Sequence, residues 1–326
     1  AMSDYLLRRL LYAFPILLGV NIITFFLFFV VNSPDDMARI HLGNKYVTTD
    51  AIEKWKGERG YDRPLFYNPE KQGREKLLDT IFYTKTVKLF VFDFGQSDSG
   101  RDIGYDISQR MWPSLMITLP ILILGLFLTI SLALAVAFFR ATYLDTFAVI
   151  MCVCMMSISG LFYIIGGQYL FSKLLKIVPI SGFDDGFLAI KFLILPVVVG
   201  VVGGLGSGTR WYRTIFLEEV NQDYVRTARS KGLSEKVVFY VHVLRNGMIP
   251  ILTGVVALLP SLFLGSLITE AFFGIPGLGS YTIEAIQSQD FSIVRAMVFL
   301  GSALYILGLV LTDISYTFVD PRISLR

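Results

Sequence analysis

Charge is scarce in this chain. Of 326 residues, 17% are charged and 54% hydrophobic, and the mean hydropathy is +0.61. A water-soluble domain of this length needs a more polar surface, so a polytopic membrane protein is expected. The formal net charge of +3 gives no electrostatic reason to expect a nucleic-acid partner. Cysteine is nearly absent: Cys152 and Cys154 are the only two. They lie inside an apolar run at a spacing that suits neither a metal nor a redox pair, and are read as packing residues. The two histidines, His41 and His242, stand alone. No metal site is expected from them. No nucleophile–base arrangement is visible either, so no catalytic residue is assigned.

Nucleotide chemistry is missing too. The run GGLGSGT at residues 203–209 has no Lys-Ser/Thr after its last glycine and sits at the end of an apolar segment. Close helix packing through small residues is the reading. Asp93-Phe94-Gly95 matches one fragment of a kinase signature and no other part of it. Aromatics such as Phe25, Phe26, Phe28 and Phe29 are lipid-facing or packing residues. No clear internal repeat is seen.

What is abundant is long apolar sequence. Ala1 ahead of Met2 reads as a cloning remnant. A first transmembrane helix is expected within residues 5–34, uncharged from Leu10 onward and preceded by Arg8 and Arg9. The run is long and lacks a small-residue cleavage pattern, so no cleavable signal is expected. Residues 35–110 are polar and mixed in charge. Helical stretches near 49–58 and 70–82 make this region a small ordered cap rather than a linker. Five further uncharged runs follow at 111–139, 146–172, 192–209, 246–269 and 296–312, giving an expected all-α membrane protein with six transmembrane helices.

Loop charge sets the expected orientation. Residues 210–245 hold seven Lys/Arg, whereas residues 270–292 hold none. The positive-inside rule then puts 140–145, 210–245 and the tail 320–326 in the cytoplasm, with 173–191 and 270–295 outside. Both termini are cytoplasmic, and the 35–110 cap is external. Its lysines do not contradict this, because long loops escape the rule.

The 221–250 stretch, NQDYVRTARSKGLSEKVVFYVHVLRNGMIP, is a basic insert between two apolar runs. Helical spacing puts Tyr224 with Ala228, and Val225 with Arg229, on shared faces. Gly232 can take the positive φ that turns the chain, and Ser234 can cap a second helix from Glu235. A short helix of this kind can lie in a partner's groove, with Ala228 allowing close approach and Arg226, Arg229 and Lys231 meeting acidic residues. The alternative is that the cations mark the inner membrane surface and touch lipid headgroups, a reading that stays open above all for Arg210 and Arg213.

These residues resemble a family. QDYVRTARSKGLSEKVVFYVHVLRNGMIP is similar to the cytoplasmic coupling loop of ABC importer permeases of the peptide/nickel type. LLRRLL before the first helix, DFGQS at 93–97, SLMITLP at 114–120, TEAFFGIPGLGSYTIEAIQSQDF at 269–291 and VDPRI at 319–323 match as well. The likeness covers nearly all of the chain outside 35–90. The broad motif begins Glu-Ala-Ala. Here those positions are Arg226, Thr227 and Ala228, the glycine is Gly232, and the usual later proline is Arg245, changes that narrow the branch to the peptide type.

The resemblance implies a fold of five helices over 111–319 and a function in import. Tyr224, Val225, Arg226, Thr227, Ala228, Arg229, Lys231, Gly232, Leu233 and Ser234 would couple to an ATPase. Glu270, Pro276, Gly277, Gly279 and Asp290 would belong to an external gate, with IPGLG at 275–279 breaking a helix into a re-entrant turn. Glu270 is otherwise a helix-end charge that snorkels to the interface. Arg295 and Asp313 read as boundary markers of the last helix, and Asp290 as its cap. The implied partners are a second permease subunit, two ATPase subunits or domains that bind ATP and Mg, an extracytoplasmic solute-binding protein and lipid, in the bacterial inner membrane. No cofactor is expected in this chain. Peptides are the favoured substrate among peptides, nickel complexes and sugars. An ion-coupled carrier, or a receptor or scaffold, are the rival classes. A carrier would be expected to show ionisable residues near mid-membrane, in which these runs are poor.

Overall fold

The computed structural model describes residues 2–43 and 47–319, so the expected tail at 320–326, with most of the VDPRI match, lies outside the described residues. The described chain is helical throughout, with one isolated bridge between Gln96 and Asp102. It divides into two units. One takes the described residues up to Arg110 together with Tyr281–Leu307. The other takes Met111–Ser280 and the described residues from Gly308 onward.

The first unit is built on a long apolar helix, Ser3–Val31, whose last turns (Phe26–Val31) widen to π geometry. Ser33 and Asp36 form a capping box, and Pro34 opens the next helix, Pro34–Leu42. Thr48 caps Thr49–Arg59, which ends on Gly60 at φ +74°. The expected helix at 70–82 is instead two short ones, Glu75–Leu78 and Ile81–Lys85, because Thr80 turns extended and caps the second through the Tyr83 N–H. The region is ordered because it has its own core. Phe25 and Phe29 at the end of the long helix are buried against Met37, Ile52, Trp55, Tyr61 and Ile81. Phe25 meets Phe82 edge-on at 5.1 Å. The last helix, Phe291–Val319, begins in this unit, and Phe291 packs on the same cluster.

In the second unit, Tyr143–Ser157 packs along Ile190–Val220. The glycine run makes this close. A Cβ on Gly206 would lie 2.8 Å from the Cys152 carbonyl, and a second helix, Ile103–Phe138, comes as near, a Cβ on Gly208 lying 2.8 Å from a Thr129 methyl. Cys152 is buried there and Cys154 is exposed.

Several boundaries differ from those expected. The second long helix starts at Ile103, not 111. The expected span at 146–172 is two arms, Tyr143–Ser157 and Gly160–Leu174, bent by 88°. Ile158 is extended and Ser159 caps the second arm through the Leu161 N–H. Each arm is about 22 Å long at 1.5 Å per residue, short of a bilayer core. The expected span at 246–269 starts earlier and stops earlier, as Glu235–Leu258. A 3₁₀ turn at Pro260–Leu264 and Gly265 at φ +68° then break the chain. The helix Ile190–Val220 likewise runs beyond 209, so the expected 210–245 loop contracts to residues 221–234. Five helices are long and apolar enough to cross a membrane, or up to seven if each bent pair is one span.

Candidate functional site

The 221–234 segment joins two long helices, and its form follows from its capping residues. Asp223 supplies a negative charge to the first turn of the helix Asp223–Ser230. Gly232 takes φ +79°, which a side chain would strain. Ser234 is extended and accepts from the Val237 N–H at 3.4 Å, starting the next helix at Glu235.

The two faces of this short helix are unlike each other. Val225 and Ala228 are buried in one core with Phe216, Val238, Phe239 and Ala137, and Tyr224 packs at the edge of that core. The small side chain of Ala228 fits against its own chain. The Tyr224 hydroxyl donates to Glu219 at 2.7 Å. Burial and this carboxylate push the phenol well above its ordinary range. Arg229 is committed internally as well: it forks onto Glu235 across the turn, with Nε 2.9 Å from Oε1. What faces outward is Arg226, Thr227, Lys231, Gly232 and Leu233. Arg226 is open, its side chain 79% exposed.

Arg213 has a partner within the chain. Its Nε and Nη2 each lie 2.8 Å from the two carboxylate oxygens of Asp145, a bidentate pair that Ala141 supports through its backbone N–H. Arg210, one turn before, is exposed.

The second constellation centres on Glu270. The helix Leu267–Phe273 ends on Gly274 in the left-handed region, and the chain resumes as Leu278–Gln287 at a 67° bend. Glu270 is 1% exposed, so it does not snorkel to an interface. Ser114 Oγ donates to its Oε1, and the Ser280 N–H donates to Oε2 at 3.1 Å. Ser114 Oγ in turn accepts the Leu278 N–H at 2.8 Å, so it serves both sides of the break. Three glycines leave room for the carboxylate. A Cβ at Gly265 would lie 2.6 Å from Oε1, and Cβ atoms at Gly277 and Gly279 would fall closer still. Pro276 sits exposed at the turn. The carboxylate occupies the first turn of the resumed helix, where free N–H groups and the helix dipole favour an acceptor.

Asp290 belongs to the other unit and joins a different network. Its Oδ1 accepts from the Asp98 N–H at 3.2 Å, and it also takes the Ile293 N–H, as a cap of the last helix should. Burial and Asp98 raise its carboxyl above the usual carboxylate range. Asp98 Oδ1 accepts the Tyr61 hydroxyl at 2.8 Å and Ser292 Oγ at 3.2 Å. Arg295 Nη2 reaches the same two hydroxyls at 3.3 and 3.1 Å, and the guanidinium lies 4.3 Å from the Phe29 ring centroid. Arg295 is 4% exposed, so it is a buried structural cation rather than a boundary marker. Sequence reasoning missed this network. One signal was present: an arginine placed inside an uncharged helical run needs a partner.

Residues 129–325 match the family described as binding-protein-dependent transport system inner membrane component. Residues 2–88 match that described as the N-terminal part of such a membrane component. A putative peptide transport system permease protein of Brucella abortus is 30% identical over 99% of both chains. An oligopeptide transport system permease protein of Bacillus subtilis is 29% identical over 99% of this chain and all of its own. A glutathione transport system permease protein of Salmonella paratyphi A is 29% identical over the full length of both.

Proposed function

We propose, from the premise that this chain belongs to the family of binding-protein-dependent transport system inner membrane components, that it forms half of the translocation path of an ATP-driven peptide importer. The observation that carries this is similarity to permease proteins along the whole chain, cap and hairpin included. Peptides and glutathione are what the relatives' names give, and small peptides are the substrate class taken here.

The membrane arrangement follows from an even count. We count as six crossings the five long helices and the bent pair Tyr143–Ser157 with Gly160–Leu174, five to seven spans being open on length and composition. Loop charge then favours both termini on the cytoplasmic side. The pair Pro260–Phe273 with Leu278–Gln287 is the re-entrant outer gate, and residues 35–110 are the external cap. This leaves the 221–234 hairpin in the bacterial cytoplasm, where its lysine and arginine content favours it. Two ATPase subunits or domains, binding ATP and Mg, receive the outward face of the hairpin through Arg226, Thr227, Lys231 and Leu233. A second permease subunit completes the path, and a solute-binding protein delivers substrate from outside.

Mechanically, closure of the ATPases moves the hairpin, and the hairpin moves the ends of Ile190–Val220 and Glu235–Leu258, to which it is joined. ATP and loaded binding protein favour the same outward-open state, so together they shift one two-state equilibrium.

The test is Gly232→Val in the co-expressed complex. A β-branched residue at φ +79° costs on the order of 1–2 kcal/mol and distorts the turn. The variant should insert and co-purify with the second permease, yet lose uptake and binding-protein-stimulated ATP hydrolysis. Normal uptake with normal stimulation would contradict the coupling role. Isolation of the wild type as a transport-active single polypeptide would contradict the importer itself.

A further inference from the structure

The chain that leaves the cap core after Lys85 takes a course that neither the hairpin nor the gate explains. Phe82 packs on Phe25 at 5.1 Å, in that core. Eight residues on, the Phe90 ring lies 5.2 Å from the ring of Phe14. Phe14 is eleven residues before Phe25 on the same long helix, about 16 Å along its axis. Phe90 and Phe92 also meet Phe299 of the last helix, each with ring centroids 5.8 Å apart. By Asp98 the chain is back at the cap network, bonded to Tyr61 and Ser292. Residues 86–97 therefore run down along two apolar helices and return.

Both of those helices are long and apolar enough to cross a membrane. Phe14 lies in the uncharged run 10–34, and Phe299 lies in the uncharged run 296–312. A segment beside them at that level is beside hydrocarbon.

The tip is built for such surroundings. Val91 is 75% exposed and Phe92 58% exposed, next to helices whose own outward residues are apolar. The backbone closes on itself in a 3₁₀ turn over Val87–Val91. The Leu89 N–H donates to the Thr86 carbonyl at 3.2 Å, the Phe92 N–H to Leu89 at 2.9 Å and the Asp93 N–H to Lys88 at 3.1 Å. Irregular backbone at membrane depth has to meet its own polar groups in this way. Phe92 turns the chain back at φ +58°, a conformation that strains a bulky side chain. Lys88 and Asp93 flank the tip, and a lysine stem is long enough to carry its ammonium toward the headgroups.

We propose that residues 87–92 form a finger that dips into the bilayer, its tip of Val91 and Phe92 resting on phospholipid acyl chains in the leaflet on the cap side. The ring contacts with Phe14 and Phe299 carry this, because they make the tip continuous with the apolar surface of two membrane-crossing helices. The cap is then held to the membrane at a second point besides its helices. This needs only that the two helices cross a bilayer, so it survives or fails independently of the importer assignment.

A bimane label on the Val91→Cys variant tests it, in a Cys152→Ala, Cys154→Ala background. The protein is reconstituted in phosphatidylcholine nanodiscs with whatever subunits it carries from the membrane. Phosphatidylcholine brominated midway along its acyl chains should remove roughly half or more of the emission, since the label would sit within the hydrocarbon. The same label on Lys54→Cys, exposed on the cap helix Thr49–Arg59, should keep its intensity. A second measurement needs no substitution. In the wild type, a phosphatidylcholine with a photoactivatable diazirine on its acyl chain should mark the peptide that contains 87–92. Emission from the labelled Val91→Cys protein as indifferent to brominated lipid as that from Lys54→Cys, or absence of lipid adducts on 87–92, would overturn the proposal. Quenching that vanishes when a second membrane subunit is bound would overturn it too, by making that subunit the occupant.

Discussion

Replacing Gly277 by alanine should abolish well-folded protein, although the change adds a single methyl group. That methyl would fall inside the van der Waals shells of Glu270 Oε1 and Ser114 Oγ, both of which are buried. To make room, the carboxylate must leave Ser114 and the Ser280 N–H while staying out of water. Displacing a buried charged acceptor from its donors belongs to the costly tail of point substitutions, above about 4 kcal/mol. Thermal melting of the detergent-solubilised protein reads the effect. The clash has two parts, so a second variant separates them. Gly277→Ala with Glu270→Ala removes the larger obstacle and should recover part of the loss. Gly279→Ala should not recover in the same background, because its methyl also meets the Ser266 backbone, which cannot move aside. If Gly277→Ala melts like the wild type, Glu270 is not pinned as described.

The next largest effect is expected from Arg295→Met. The substitution keeps the length and removes the charge, leaving Asp98 buried with its two hydroxyl donors but without the guanidinium behind them. Removing one member of a buried ionic network costs about 3–5 kcal/mol, because the other charge is left uncompensated. Asp98→Asn should cost a similar amount. The double variant should lose much less than the sum, since a network whose charges have both gone leaves no orphan. Melting temperatures of the four proteins close this cycle. Strictly additive losses would mean that Asp98 and Arg295 do not act through Tyr61 and Ser292.

Local features were legible in the sequence. Gly232 and Ser234 announced a turn and a cap because both act within a few residues of themselves, and the structure gives them φ +79° and the Val237 contact. The glycine run at 203–209 was readable as a packing surface because small residues on a helix have few other uses. Asp290 as a cap belongs to the same group. The roles of Glu270, Arg213 and Arg295 were not legible, for one shared reason. Each depends on a partner far away in the chain: Ser114 is 156 residues from Glu270, Asp145 is 68 from Arg213, and Tyr61 is 234 from Arg295. The bounds of the apolar helices were not legible for another reason. An uncharged run has no mark to show where it bends, and Ile158–Ser159 breaks one without a proline. In the opposite direction, charged residues such as Arg210 and Glu235 continue helices that hydropathy alone would end.

Residues 221–234 have little slack of their own. Val225 and Ala228 are set in the core, Arg229 is clamped to Glu235, and the single left-handed joint at Gly232 lies between those two fixed ends. In the coupling proposed above, such a hairpin acts as a rigid tooth, with no gearing between stroke and output. A displacement at Arg226 or Lys231 reaches the adjoining helix ends at nearly its full amplitude, and any amplification must arise further along, at the bends.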